Sequence, residues 1–158
     1  MMYWDGTDIV GTLSTRNAGG GQRMPDKENF NAVMEEDGMA ETRVRRLTPM
    51  ECERLQAFPD GWTDIGEWTD TKGKKHKPAD SPRYKALGNS IACCAWIDIL
   101  QGIAERCPEG EKTLGSLFDG IGGFPLIWTR LCGGKAVWAS EIEEFCIAVT
   151  RLRFPENE

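Results

Sequence analysis

The chain has 158 residues, 40% of them hydrophobic, which allows one ordinary domain with its own core plus a short appendage. Its net charge of -6 excludes a protein that holds nucleic acid by bulk charge, so any DNA contact has to come from local basic patches. Six cysteines without a C-x-x-C pair, beside the single histidine His76, suggest neither a zinc site nor a disulfide framework and read as reduced, mostly buried thiols.

Residues 1–42 are rich in Gly, Asn, Asp and Met around Gly19-Gly20-Gly21, and read as loop with strand-like pieces only at 9–14 and 30–34. No basic segment leads into an apolar run at the start, and no stretch approaches membrane-spanning length. A soluble, cytoplasmic protein with no membrane partner is therefore expected. Glu35-Glu36-Asp37-Gly38 reads as a solvated surface connector. Order sharpens at Arg45-Arg46-Leu47-Thr48. Thr48 can cap a helix, Pro49 suits its first position and Glu51 completes a capping box, which predicts a helix from Pro49 to about Ala57. Phe58-Pro59-Asp60-Gly61 stops it, because the residue before a proline is pushed out of helical space and Asp-Gly favours a turn.

Residues 62–81 read as a polar loop holding Lys72, Lys74, Lys75, His76 and Lys77, with Trp62 and Trp68 alongside. Such a loop can offer cations and aromatic faces to a phosphate backbone, or be a plain solvated surface. From Ser90, the apolar residues Ile91, Ala95, Trp96, Ile99, Leu100 and Ile103 recur at helical steps and predict one buried face ending near Arg106. A breaker-rich connector at 106–112 joins two packed pieces rather than independent domains. The last third reads as a strand over 113–118, a helix opened by Pro125 and stopped by Gly133-Gly134, a strand over 136–139, and an amphipathic helix over 142–152. Two strands joined through a helix imply a parallel sheet.

Between Phe118 and Phe124 the glycines allow a tight turn and close approach to a ligand, and the helix that follows offers unpaired N–H groups. Glu141 stands at the end of the second strand, about twenty residues beyond Gly120, where an acid bonds ribose hydroxyls in nucleotide-binding folds. Pro125 occupies the place of the third glycine of a dinucleotide fingerprint, so a nicotinamide cofactor fits poorly. A purely structural glycine turn is the alternative.

Leu117-Phe118-Asp119-Gly120-Ile121-Gly122-Gly123-Phe124 resembles the cofactor-binding motif of DNA (cytosine-5) methyltransferases, and Trp138-Ala139-Ser140-Glu141-Ile142-Glu143 resembles their next motif. The segment from Arg46 through Thr48, Glu51 and Gln56 to Pro59 is similar to the family's penultimate motif, and Tyr84-Lys85-Ala86-Leu87-Gly88-Asn89-Ser90 to its last. The resemblance implies an α/β, partial Rossmann-like S-adenosylmethionine-dependent methyltransferase fold with parallel strands, preceded by a loop-rich remnant of a recognition region. Residues 1–42 would be that remnant, 43–105 the C-terminal family motifs, 106–112 the connector and 113–158 the S-adenosylmethionine-binding unit. The family's last two motifs come first here and its first two come last. In the family fold the last helix packs beside the first strand, so a short connector can join them.

Carried over, Phe118, Asp119, Gly120, Ile121, Gly122 and Gly123 would cradle S-adenosyl-L-methionine, with Glu141 on its ribose and Ile142 against its adenine. Asn89 and Ser90 would close the pocket around the methionine part; both residues also suit a plain helix cap. The start of the chain resembles the end of the target recognition region, which makes Arg16 a candidate for a base or phosphate contact or an ordinary exposed arginine. Arg45, Arg46, Lys74 and Lys75 are the other DNA-contact candidates.

The family's nucleophile, a cysteine in a Pro-Cys motif, and its accompanying glutamate are not found; Cys107-Pro108 has the reverse order, and no catalytic or metal-binding residue is assigned. The resemblance therefore implies a part of a DNA cytosine-5 methyltransferase, inactive alone, that is either truncated or completed by a second polypeptide supplying the cysteine. Weak DNA binding, or DNA binding only by the completed enzyme, goes with it. A non-catalytic donor-binding or docking module and a degenerate remnant are the alternatives.

Overall fold

The computed structural model describes residues 32–37 and 41–155, with side chains from residue 45 onward. The strand-like piece expected at 9–14, and Arg16, lie outside the described residues. The first two elements are β1 (Ala32–Asp37) and β2 (Glu41–Arg46), an antiparallel pair with Glu35 opposite Arg43 and Asp37 opposite Glu41. The acidic run expected to be a connector is thus strand through Asp37. Pairing with β2 supplies backbone partners that composition alone does not reveal.

Helix α1 (Pro49–Leu55) opens on the expected box: the Glu51 amide donates to Thr48 Oγ1 at 3.3 Å and the Thr48 amide donates to Glu51 Oε2 at 2.7 Å. The helix stops short of Ala57, which stands at φ +60° ahead of Phe58-Pro59. Arg45 grips the Glu51 carboxylate with two bonds of 2.8 Å each, and together with the Thr48 contacts this holds its pKa down at about 2. A depressed carboxylate stabilises the fold above its ordinary value of 4.5, and the contribution is lost as pH falls toward 2. Glu51→Gln is expected to be less stable than the parent by about 1 kcal/mol at neutral pH. Paired urea titrations should show the gap constant above pH 4.5 and closing below it.

The stretch expected to be loop contains a small hairpin, β3 (Trp68–Thr69) and β4 (Lys75–His76). Trp68 stacks on His76 with ring centroids 4.1 Å apart, His76 Nε2 lies 2.9 Å from Asp70 Oδ2, and Asp70 Oδ1 accepts the amides of Lys72 and Lys74. Helix α2 (Asp80–Asn89) follows, held by the Tyr84 hydroxyl donating to the Leu47 carbonyl at 2.7 Å and by Gln56 Nε2 donating to the Leu87 carbonyl at 2.8 Å.

Helix α3 (Cys93–Arg106) begins three residues later than expected, and Ser90 ends α2 instead of starting α3. Then come β5 (Thr113–Leu117), α4 (Gly123–Leu131), β6 (Lys135–Ser140) and α5 (Glu144–Arg153). β5 and β6 are parallel, with Leu117 opposite Ser140, and among the described residues they pair only with each other. The described residues are therefore α/β, with five helices and one parallel strand pair. Helix α4 starts two residues before Pro125 because Gly122, at φ +81°, turns the chain directly into it.

Helix α3 packs on α4, and α4 covers both parallel strands. One core draws Leu47, Trp62, Leu87 and Leu100 together with Ile121, Trp128 and Val149. Each fully buried apolar side chain of this size contributes about 1.5–3 kcal/mol. Arg153 closes the assembly by donating to the Gly61 carbonyl at 2.5 Å and the Trp62 carbonyl at 3.0 Å. No single helix among the described residues is long and apolar enough to cross a membrane.

Candidate functional site

The strand β5 ends where Phe118 takes φ +54°, and Gly120 at φ +59° continues the turn. The Asp119 amide donates to the Ser140 carbonyl at 3.0 Å, so the turn is tied to the end of β6; the Gly122 amide donates back to the Asp119 carbonyl at 3.0 Å. Glycine is required twice here for different reasons. At Gly120 the space around a Cβ is open and the left-handed backbone alone selects glycine, whereas a Cβ on Gly122 would also lie 2.6 Å from the Phe154 ring.

Glu141, just beyond β6, reaches the turn. Its Oε2 accepts the Gly120 amide at 2.6 Å, and its Oε1 accepts the amides of Ile142 and Glu143 at 2.7 and 2.9 Å. Three backbone donors thus fix one carboxylate against the glycine turn. Phe118 and Ile142 flank it at 87% and 86% exposed, leaving two apolar side chains uncovered beside an ordered acid. Below the turn, Asp119 is buried and accepts the Ser116 hydroxyl through Oδ1 at 2.5 Å, while Oδ2 is buried without a partner. Burial pushes this carboxyl above its ordinary pKa; the Ser116 bond opposes that and the nearby Glu141 charge adds to it.

The first half of the chain packs on the same turn. Trp62 Nε1 donates to the Ile121 carbonyl at 2.7 Å, and Ile91 and Cys93 stand where a Cβ on Gly123 would go. Asn89 is exposed at the end of α2, and Ser90, half-buried, donates its amide to the Leu87 carbonyl at 3.1 Å. The structure brings Phe118, Asp119, Gly120, Ile121, Gly122, Gly123, Glu141 and Ile142 together and sets the Asn89–Ser90 segment next to Ile91 on that turn. The described basic candidates are elsewhere. Lys74 and Lys75 are exposed on the hairpin, Arg46 is exposed at the end of β2, and Arg45 is committed to Glu51.

Three contacts at the site escape sequence reading: Trp62 to Ile121, Thr71 to Glu144 and Lys85 to Glu143, separated by 59, 73 and 58 positions. No local pattern encodes pairs so far apart. A cleft lined by Thr63, Ile65, Trp68, Asp80, Arg83 and Phe145 contains none of the expected site residues. The thiols of Cys52 and Cys93 are pushed up by burial to about 11 and that of Cys146 to about 12, so all three stay protonated at neutral pH.

The profile of the C-5 cytosine-specific DNA methylase family matches residues 3–107, a span that holds α1, α2 and α3 and ends before the glycine turn. A DNA N-6-adenine-methyltransferase of Escherichia phage P1 is 42% identical over 110 residues, covering 54% of this chain and 14% of that protein. The type II methyltransferase M.HgiCI of Herpetosiphon aurantiacus is 38% identical over 52 residues, covering 33% of this chain and 10% of that protein. The chain spans only a small fraction of the length of either relative.

Proposed function

The chain belongs to the C-5 cytosine-specific DNA methylase family, and we propose that it is the donor-binding part of an enzyme that methylates cytosine in DNA at C5. In this reading S-adenosyl-L-methionine is the methyl donor. The observation that carries it is the Glu141 carboxylate, held 2.6 Å from the Gly120 amide at the mouth of the turn. An acid so placed can take ribose hydroxyls, and the exposed Phe118 and Ile142 side chains offer apolar cover to an adenine. Asn89 and Ser90 close the methionine end. The donor supplies an electrophilic methyl group; the chain's own residues bind and orient it.

On this reading β5, α4, β6 and α5 open a Rossmann-like sheet, and residues 1–42 are the remnant of a target recognition region. Lys74 and Lys75 on the hairpin, with Arg16 and Arg46, touch the DNA backbone. The nucleophile comes from a second polypeptide carrying a Pro-Cys motif, which agrees with the buried, protonated state of Cys52, Cys93 and Cys146. That same observation favours the second reading, a module that holds the donor without transferring its methyl group.

Calorimetric titration of the 158-residue protein with S-adenosylmethionine is expected to show saturable binding at one site. Labelled methyl should then reach DNA only when a Pro-Cys polypeptide is added, and should be recovered as 5-methylcytosine. Absence of donor uptake by folded protein sinks the reading. Label recovered as N6-methyladenine overturns the target base, and transfer by this chain alone overturns the split of the nucleophile.

A further inference from the structure

The helix α5 has no side-chain cap of its own: Glu143 stands at the capping position without bonding the first turn. Residues far away in sequence hold that end instead. Thr71, at the tip between β3 and β4, donates its amide to Glu144 Oε2 at 2.8 Å and its hydroxyl to Oε1 at 2.5 Å. Lys85 of α2 donates to Glu143 Oε2 at 2.9 Å. Trp68 meets Phe145 edge to face at 5.6 Å, so the hairpin touches α5 at two consecutive residues. The Thr71 bonds also hold the Glu144 carboxyl below its usual range.

These tethers end two and three residues from Glu141, whose own carboxylate accepts the Glu143 amide. We propose that Thr71 and Lys85 are positioning residues: by clamping the first turn of α5 they set the Glu141 carboxylate against the Gly120 amide, and so tune affinity for the nucleoside part of the donor. This rests on the donor-site reading above for its ligand, though not for its geometry. Thr71 and Lys85 thus tie Glu144 and Glu143 to the hairpin and to α2, and cutting these ties loosens the uncapped turn that carries Glu141.

The test uses the whole chain and two readouts. Thr71 and Lys85 are exposed, so Thr71→Val and Lys85→Met should leave the melting temperature nearly unchanged. Amide exchange at Gly120, Ile142 and Glu143, the three donors to Glu141, is expected to speed up in both variants and to return to the parent rate in Thr71→Ser. S-adenosylmethionine should bind Thr71→Val about five-fold more weakly, with recovery in Thr71→Ser. Unchanged exchange at those three amides in both variants overturns the proposal, as does loss that Thr71→Ser does not restore. If the parent protein takes up no donor, the donor-site reading fails while the exchange rates still decide the clamp.

Discussion

Glu53→Ala is expected to lose about 3–5 kcal/mol of stability in urea unfolding, because it strips a fully buried carboxylate from the groups built around it. Glu53 is 0% exposed and accepts the Gly61 amide at 2.7 Å, the Thr63 amide at 2.8 Å and the Thr63 hydroxyl at 2.5 Å, with Arg83 Nη2 at 3.4 Å. Alanine leaves the Gly61 and Thr63 amides and the Thr63 hydroxyl without this acceptor, and each buried orphan costs about 1–3 kcal/mol, while Arg83 keeps its bonds to Thr63 Oγ1 and Asp80. A domain has only about 5–15 kcal/mol in total, so much of the margin goes. The damage also reaches the site, since the turn that Glu53 holds places Trp62 under the Ile121 carbonyl. A loss smaller than about 1 kcal/mol would show that water or a neighbour replaces the carboxylate without cost.

Glu141→Ala should weaken S-adenosylmethionine binding by about 100-fold, since two hydrogen bonds to a charged acceptor are worth about 1.5 kcal/mol each and 1.4 kcal/mol is ten-fold. Glu141→Gln keeps one oxygen for the Gly120 amide and loses the charge, so a smaller loss, about ten-fold, is expected. Calorimetry reads both values, and circular dichroism on the same samples shows whether the turn has kept its fold. An unchanged affinity in folded Glu141→Ala would remove the acid from the donor site.

How much of this is legible in the sequence depends on whether the cause is local. Thr48 and Glu51 are three positions apart and act within one helical turn, and their box appears as expected. The order strand, turn, helix, strand, helix from residue 113 onward is also recovered, with ends displaced by a few residues. The displacement at α4 has a specific origin: Pro125 is a good opening residue, but the left-handed Gly122 begins the helix earlier. Helix α2 goes unread because it offers few apolar positions, and Tyr84 and Leu87 are held by Leu47 and Gln56 from another segment. Glu53 looks like any charged residue on a capped helix; its burial depends on a loop folding over it. The meeting of the Glu141 carboxylate with the Gly120 turn follows from their spacing along the chain. Thr71, which touches α5 from 73 positions before Glu144, is visible only in three dimensions.

The bonds from Arg153 to the Gly61 and Trp62 carbonyls, reaching back 92 and 91 positions, also bear on how the molecule is made. On a translating ribosome, α1 and the Trp62 turn emerge long before Ile121 exists to accept the indole N–H, and before Arg153 can seal the carbonyls. Contacts that distant are slow to form, since the intervening chain must close on itself first. The glycine turn and its packing on Trp62 are therefore completed last, and until then the newly made front half exposes the apolar surface that holdase chaperones grip.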